Sequence, residues 1–218
     1  LNPNAKMKDS GVEWIGEIPE GWEVSFLSYV SNLETGSTPD RTRPSYWNGN
    51  IPWVKTGEVR YEIITETEEY ITNSGLKNSA TRLAPPGTIL MAMYGQGITR
   101  GRVAILGIYA TYNQACCAIL FGKKIFNSYG YYFFIAAYPH VRDAGNETSQ
   151  MNLSSGYISK LKITIPPIKE QEQIVKYVEN ELKKIETLVS LKQQEIEKLK
   201  EYKASLINSA VTGKIKVS

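Results

Sequence analysis

Residues 163–213 read ITIPPIKEQEQIVKYVENELKKIETLVSLKQQEIEKLKEYKASLINSAVTG, and the chain changes character inside them, at Ile165-Pro166-Pro167. Past Pro167 there is no Gly or Pro until Gly213. A heptad fits this stretch. With Val175, Leu182, Val189, Ile196, Lys203 and Ala210 at a, and Val178, Ile185, Lys192, Leu199 and Leu206 at d, only the two lysines break an apolar seam. The pattern predicts a coiled-coil helix from about Ile168 to Ala210, roughly 60 Å long at 1.5 Å per residue. Pro167 suits the helix start, where its missing N–H costs nothing. Glu170 and Glu172 suit the positive end of the dipole, and Gly213 suits the far end. An apolar stripe of this length calls for another helix, from a second copy or another chain, the alternative being that it packs partly along the globular domain. The expected seam is Val178, Leu182, Ile185, Val189, Ile196, Leu199 and Leu206. Lys192 and Lys203 within it disfavour some registers at a cost in stability.

Before Ile165 the chain consists of short β-branched and aromatic runs broken by Gly, Pro and Asn. Ile51–Val54, Thr88–Tyr94, Arg102–Leu106, Ala115–Phe121 and Lys160–Ile165 read as strands bounded by turn residues. Ser128–Val141 (SYGYYFFIAAYPHV) fits a buried helix or a strand; its length favours helix, against Gly130 and Pro139. The expected architecture is α+β: a mixed globular domain over 1–165, then a long helix over 166–218.

The chain has 218 residues, 42% apolar and 22% charged, which is ordinary for a globular protein. No apolar run is long enough to span a membrane and no leader pattern is visible, so a cytoplasmic protein without membrane partners is expected. The formal net charge of +3 does not by itself argue for nucleic acid. Cys116 and Cys117 are adjacent in an apolar run, without the spacing of a zinc or redox pair. They read as buried small hydrophobes, and His140, the one histidine, reads as structural.

Catalytic patterns are missing from the sequence. Gly95 to Gly101 holds G-x-G-x-x-x-G, one residue off the dinucleotide fingerprint and followed by a strand pattern rather than a helix, so it reads as a hairpin loop. There is no P-loop, G-x-S-x-G elbow or H-E-x-x-H. Glu62, Glu66, Glu68 and Glu69 cluster without a partner pattern and read as a solvated face. No enzyme, metal site or cofactor is expected. Arginine, lysine and glutamine on loops are better represented, and these side chains read base edges or hold phosphates. The expected DNA-binding set is Arg41, Arg43, Arg60, Lys77, Arg82, Gln96, Thr99, Arg100 and Arg102. The acidic segment and weak net charge also fit a coiled-coil adaptor that binds protein instead of DNA.

Several strings are shared with a known family. They are Lys8-Asp9-Ser10-Gly11-Val12-Glu13-Trp14-Ile15-Gly16-Glu17-Ile18-Pro19, Gly36-Ser37-Thr38-Pro39, Tyr46-Trp47-Asn48-Gly49-Asn50-Ile51-Pro52-Trp53-Val54, Asn113-Gln114, Ile165-Pro166-Pro167 with Glu170-Gln171, and Ala210-Val211-Thr212-Gly213-Lys214-Ile215. Together they resemble the specificity subunit of Type I restriction-modification systems, over nearly the whole chain. The resemblance implies a target recognition domain opened by a tryptophan-bearing segment, with Trp14, Trp22, Tyr46, Trp47 and Trp53 as packing anchors. Members usually carry two recognition domains and two antiparallel helices, so this sequence looks like one repeat, a half-subunit that dimerises or a fragment of a longer chain. It also implies double-stranded DNA, modification (methyltransferase) subunits and a restriction endonuclease subunit as partners. S-adenosylmethionine would then belong to the modification subunit.

Overall fold

The computed structural model describes residues 4–95, 98–143 and 152–215. The chain divides into two compact units, Leu1–Ile174 and Val175–Ser218. The first opens with β1 (Met7–Asp9), β2 (Glu17–Pro19), β3 (Glu23–Phe26), α1 (Leu27–Val30) and β4 (Ser31–Thr35). It continues with β5 (Trp47–Val54), β6 (Ile63–Ile64), β7 (Glu69–Ile71), α2 (Asn73–Lys77), β8 (Ile89–Ala92), β9 (Val103–Leu106), β10 (Thr111–Tyr112) and β11 (Cys116–Phe121). After these come α3 (Asn127–Asp143), α4 (Ser155–Ser159), β12 (Lys162–Ile165) and α5 (Ile168–Val211). The mixed class and the long C-terminal helix are those expected, and α3 is a helix despite Pro139 within it.

The centre is a five-stranded sheet of order β4-β11-β8-β9-β6, antiparallel except for the parallel β6–β9 edge. All four residues of β8 are buried, so both its faces are covered. Strand alternation sorts the side chains. Leu90, Ala92, Ala104, Leu106, Cys116 and Ala118 join one cluster with Val54, Val59 and Tyr112. Ile89, Met91, Val103, Cys117 and Ile119 have the opposite parity and are also buried. Here α3 packs on the sheet, with the Phe134 ring stacked on Phe121 of β11 at 6.4 Å. Both cysteines are fully buried, and burial pushes their thiols up to about 12, so they remain protonated packing groups.

A second sheet, β10-β5-β7, lies beside the first cluster through Val54 and Tyr112. Two ribbons, β1-β2 and β12-β3, hold the N-terminal segment. Leu27 N donates to Leu161 O at 2.7 Å and Lys162 Nζ to Gly11 O at 3.1 Å. The tryptophans fasten this irregular segment. Trp14 stacks on His140 at 5.0 Å and meets Phe133 at 5.5 Å. Trp22 Nε1 donates to Glu170 Oε2 at 3.0 Å.

The first turn of α5 is locked by Gln171, which is fully buried. Its Oε1 accepts from Phe126 N at 2.8 Å, while Nε2 donates to Lys124 O at 2.9 Å and Pro166 O at 2.8 Å. The Glu170-Gln171 pair is therefore a double tether between helix start and domain. At the far end Lys214 N donates to Ser209 O and Gly213 N to Ala210 O, with Gly213 at φ +71°, a Schellman cap. Leu182, Ile185, Val189, Ile196, Leu199 and Leu206 are exposed along α5, and Val178 is half-buried. No helix among the described residues is long and apolar enough to cross a membrane.

Gly130 shows packing overruling propensity. A Cβ there would sit 2.1 Å from Cε2 of Phe121, which would drive the Phe121 ring or the helix from its place. Alanine is the better helix former by about 1 kcal/mol, yet overpacking costs about 1–3 kcal/mol. Gly130→Ala is expected to lower stability, measured by urea denaturation of the whole chain.

Candidate nucleic-acid interface

The arginine and lysine positions fall into separate neighbourhoods. The first is the turn after Gly36-Ser37-Thr38-Pro39. Thr42 N and Oγ1 both donate to Asp40 Oδ1, a local turn that sets Arg41 and Arg43 on either side. The Arg41 guanidinium lies 3.8 Å from the Trp47 ring centroid and 4.9 Å from that of Trp53, and it pairs with Glu69. Trp47 and Trp53 meet edge-on at 5.1 Å. Trp53 is nearly fully buried and donates from Nε1 to Ser37 O at 3.0 Å. Arg43 is exposed, with its Nη1 donating to Tyr46 Oη at 3.2 Å and its Nε 3.7 Å from Asp40. Lys77, exposed at the end of α2, belongs near this turn because Gly75 of the same helix packs on the Tyr46 carbonyl.

The second neighbourhood joins Arg60 to the β8–β9 loop, because Tyr61 N donates to Val103 O at 2.9 Å. Arg60 is exposed and its Nε donates to Gly57 O. Thr99 Cβ closes on Gly95, and Thr99 O accepts from Arg102 N at 3.1 Å, so the described residues of the loop form a turn between β8 and β9. Arg102 lies over Tyr61, 5.6 Å from its centroid. Loop placement led to an expected surface side chain at Arg100. Instead it is 8% exposed and its Nη2 donates to the carbonyl of Arg142 at the end of α3. Arg82 is exposed elsewhere and pairs with Glu34 at 3.3 Å, a surface ion pair of small energetic weight. Gln96 lies outside the described residues.

Tyr138 and Arg142 were missed by sequence reasoning. Tyr138 Oη donates to Ile98 O at 2.6 Å, and its ring meets Tyr61 edge-on at 5.7 Å. Arg142 lies 5.5 Å from the Tyr138 centroid and forks onto Asp143 at 2.8 and 3.2 Å. Both sit about forty residues downstream of the loop they touch, so no local spacing announces them. Burial is the main cause that pushes the Tyr61 hydroxyl up to about 12, and the phenol stays neutral at physiological pH.

The shared strings assemble into a scaffold under these loops. Gly36 packs on the Tyr112 and Asn113 carbonyls, where a Cβ would sit 2.1 and 2.4 Å away. Asn113 Oδ1 accepts from Thr56 Oγ1 at 3.0 Å and Ala115 N at 3.1 Å, and Thr38 Oγ1 donates to Gln114 Oε1. The acidic segment is only partly a solvated face. Lys55 Nζ bridges Glu68 at 2.6 Å and Glu69 at 3.2 Å, and Glu58 caps Lys55 N and Glu68 N.

The family model for the Type I restriction modification DNA specificity domain matches residues 19–201. The chain belongs to this family. Among curated relatives, the Type I restriction enzyme MjaIX specificity subunit of Methanocaldococcus jannaschii is 28% identical over 165 residues, covering 73% of this chain and 38% of that protein. The EcoR124I/EcoR124II specificity subunit of Escherichia coli is 25% identical over 176 residues, 79% of this chain and 41% of that protein. The chain thus spans less than half the length of these members of the family. Among solved structures, a chain from a study of complex assembly and conformational transition in the type I R-M system superposes with a TM-score of 0.74 at 15% identity. That match covers 96% of this chain and 48% of the other. The HsdS subunit from Thermoanaerobacter tengcongensis gives 0.65 at 16% identity, over 84% of this chain and 41% of that one. At such identities the likeness is one of fold.

The charge network makes a pH prediction. Glu69 is held below its ordinary value of 4.5, first by the Arg41 hydrogen bond and then by Lys55, and Glu68 by Lys55. A carboxylate depressed in the folded state adds stability above its unfolded value, and this is lost as pH falls through the lower folded value. Glu69→Gln should therefore be less stable than wild type at pH 7, and the difference should shrink as pH falls below 4.5 and close once Glu69 is protonated in the folded chain. Thermal melts across pH 3–7 check this.

Proposed function

We propose that the chain is the DNA-recognition unit of a Type I restriction-modification complex and carries no catalysis of its own. It selects the site, and modification and restriction subunits supply the chemistry on double-stranded DNA in the cytoplasm. The match of the family model over 19–201 is what carries this reading. The expected division of labour follows it: a recognition domain over 1–165 and a dimerisation and spacer helix over 166–218.

Two copies pair through α5. The seam Val178, Leu182, Ile185, Val189, Ile196, Leu199 and Leu206 supplies the contact, and its exposure in a single chain supports the pairing. Leu188 and Tyr202, at g, and Leu191, at c, are also exposed on the side of the helix next to the seam's g edge. They widen the apolar face beyond what one partner helix covers, which leaves surface for the modification subunit. Two identical recognition domains related by two-fold symmetry read a bipartite palindrome with an unread spacer.

On the recognition domain, Arg43, Arg60, Lys77, Arg82, Thr99 and Arg102 are the proposed contacts with DNA, with Gln96 in the same loop as the last two. Arg41, exposed beside Trp47 and Glu69, joins this set in the first neighbourhood, and Arg100, which is buried with Nη2 on the Arg142 carbonyl, supports the second from within.

Single-molecule sequencing of methylated adenine tests the function, in cells carrying the chain with its modification subunit and in cells lacking it. The expected result is a new bipartite palindrome. An asymmetric motif would keep recognition and remove the homodimer; no new motif with both proteins folded would sink the recognition role. The pairing has its own test. Leu199→Asp places two carboxylates in the seam and should convert a dimer to a monomer in sedimentation velocity, with the circular dichroism of the globular domain retained.

A further inference from the structure

Tyr61 has φ +63°, the left-handed region. For a bulky side chain this backbone is a genuine outlier. Asparagine or glycine would hold the same turn with less strain, so the ring must do something that those residues cannot. Its contacts say what. One side of the ring carries the Arg102 guanidinium at 5.6 Å, and the ring meets Tyr138 edge-on at 5.7 Å. Tyr138 is itself tied to the loop by its hydroxyl bond to Ile98 O. Arg102 is half-buried, and its Nε is enclosed with no hydrogen-bond partner among the described residues. Strained backbone persists where the surroundings hold it and concentrates where geometry serves function. A guanidinium held against a ring and its hydroxyl has lost much of its rotamer freedom before any ligand arrives, which pre-organises its fork as a bidentate donor.

We propose that Tyr61 is a positioning residue that aims Arg102 at a guanine edge in the major groove, with Tyr138 backing the ring. Guanine presents two acceptors, O6 and N7, at the spacing of the arginine fork. This inference rests on the DNA-recognition function proposed above and goes further, since it names the residue that fixes one base of the site.

The test uses the chain with its modification subunit in cells, and reads the methylation motif for wild type, Tyr61→Asn, Tyr61→Phe and Arg102→Lys. Asn accepts the left-handed backbone and removes the ring; Phe keeps the ring; Lys keeps the charge and removes the fork. The expected result is that Tyr61→Asn and Arg102→Lys relax the motif at the same guanine, on the order of tenfold in discrimination, and that Tyr61→Phe keeps the wild-type motif. Melting temperatures of the purified variants accompany this, and Tyr61→Asn should stay within a few degrees of wild type because relieved strain offsets lost ring packing. The proposal is overturned if Tyr61→Asn leaves the motif unchanged, relaxes a different position from Arg102→Lys, or lowers methylation equally at all positions with a fall in melting temperature. A wild-type complex that writes no motif overturns the recognition function itself, which keeps the two failures apart.

Discussion

The structure depends on one constraint: β8, with β9 and β11 beside it, is buried on both faces. A strand with only apolar side chains on both sides cannot end at water, so each face requires a cover. The β5–β10 side, with Val54, Val59 and Tyr112, covers one face. α3 covers the other, and its approach is close enough that only glycine fits at 130. Once α3 is in place, its outer side presents Phe133 and His140, and Trp14 lies on them. The irregular N-terminal segment is therefore held by the same helix that closes the core. The aromatic richness of residues 10–24 follows from this, since a segment with few internal backbone hydrogen bonds needs large side chains to anchor it.

What the sequence made legible follows the same physics. Central strands announce themselves because both faces are apolar, and all five runs expected as strands hold one: part of β5, and the whole of β8, β9, β11 and β12. The heptad of α5 is visible because its stripe is long and uninterrupted by Gly or Pro. By contrast β1, β2, β6, β7 and β10 are two or three residues each, with polar neighbours and no period to detect. Their position is fixed by partners distant in sequence, such as Ile63 on Ile105 and Thr111 on Trp53. Gly130 and Pro139 argue locally against a helix at α3, and the sheet beneath it outweighs them.

The candidate interface was less legible, for a reason of the same kind. Loop arginines look alike in sequence, and only packing separates Arg43 and Arg60, which face solvent, from Arg100, which donates inward to a carbonyl. Arg41 shows the intermediate case. An exposed cation held by two tryptophans and a carboxylate stabilises the turn that carries Arg43 and adds its own charge to the surface there. The shared strings concentrate in the supporting layer. Gly36, Trp53, Asn113 and Gln114 contact one another or their immediate neighbours. Identifying the family from these strings therefore locates the scaffold and leaves the loop arginines unmarked.

The helix start shows how such a scaffold can carry different specificities without loss of geometry. Gln171 satisfies three backbone groups from two segments with a single buried amide, and none of these partners is in a loop proposed to meet DNA. Glu170 receives Trp22 from the opposite side. Mutation of Arg43, Arg60 or Arg102 leaves every one of these bonds untouched, because distant sites without shared partners act independently. The exposed loop arginines and the anchoring of the helix start are thus separable in this fold. The loops that carry Arg43, Arg60 and Arg102 can change while the bonds that fix the start of α5 stay constant.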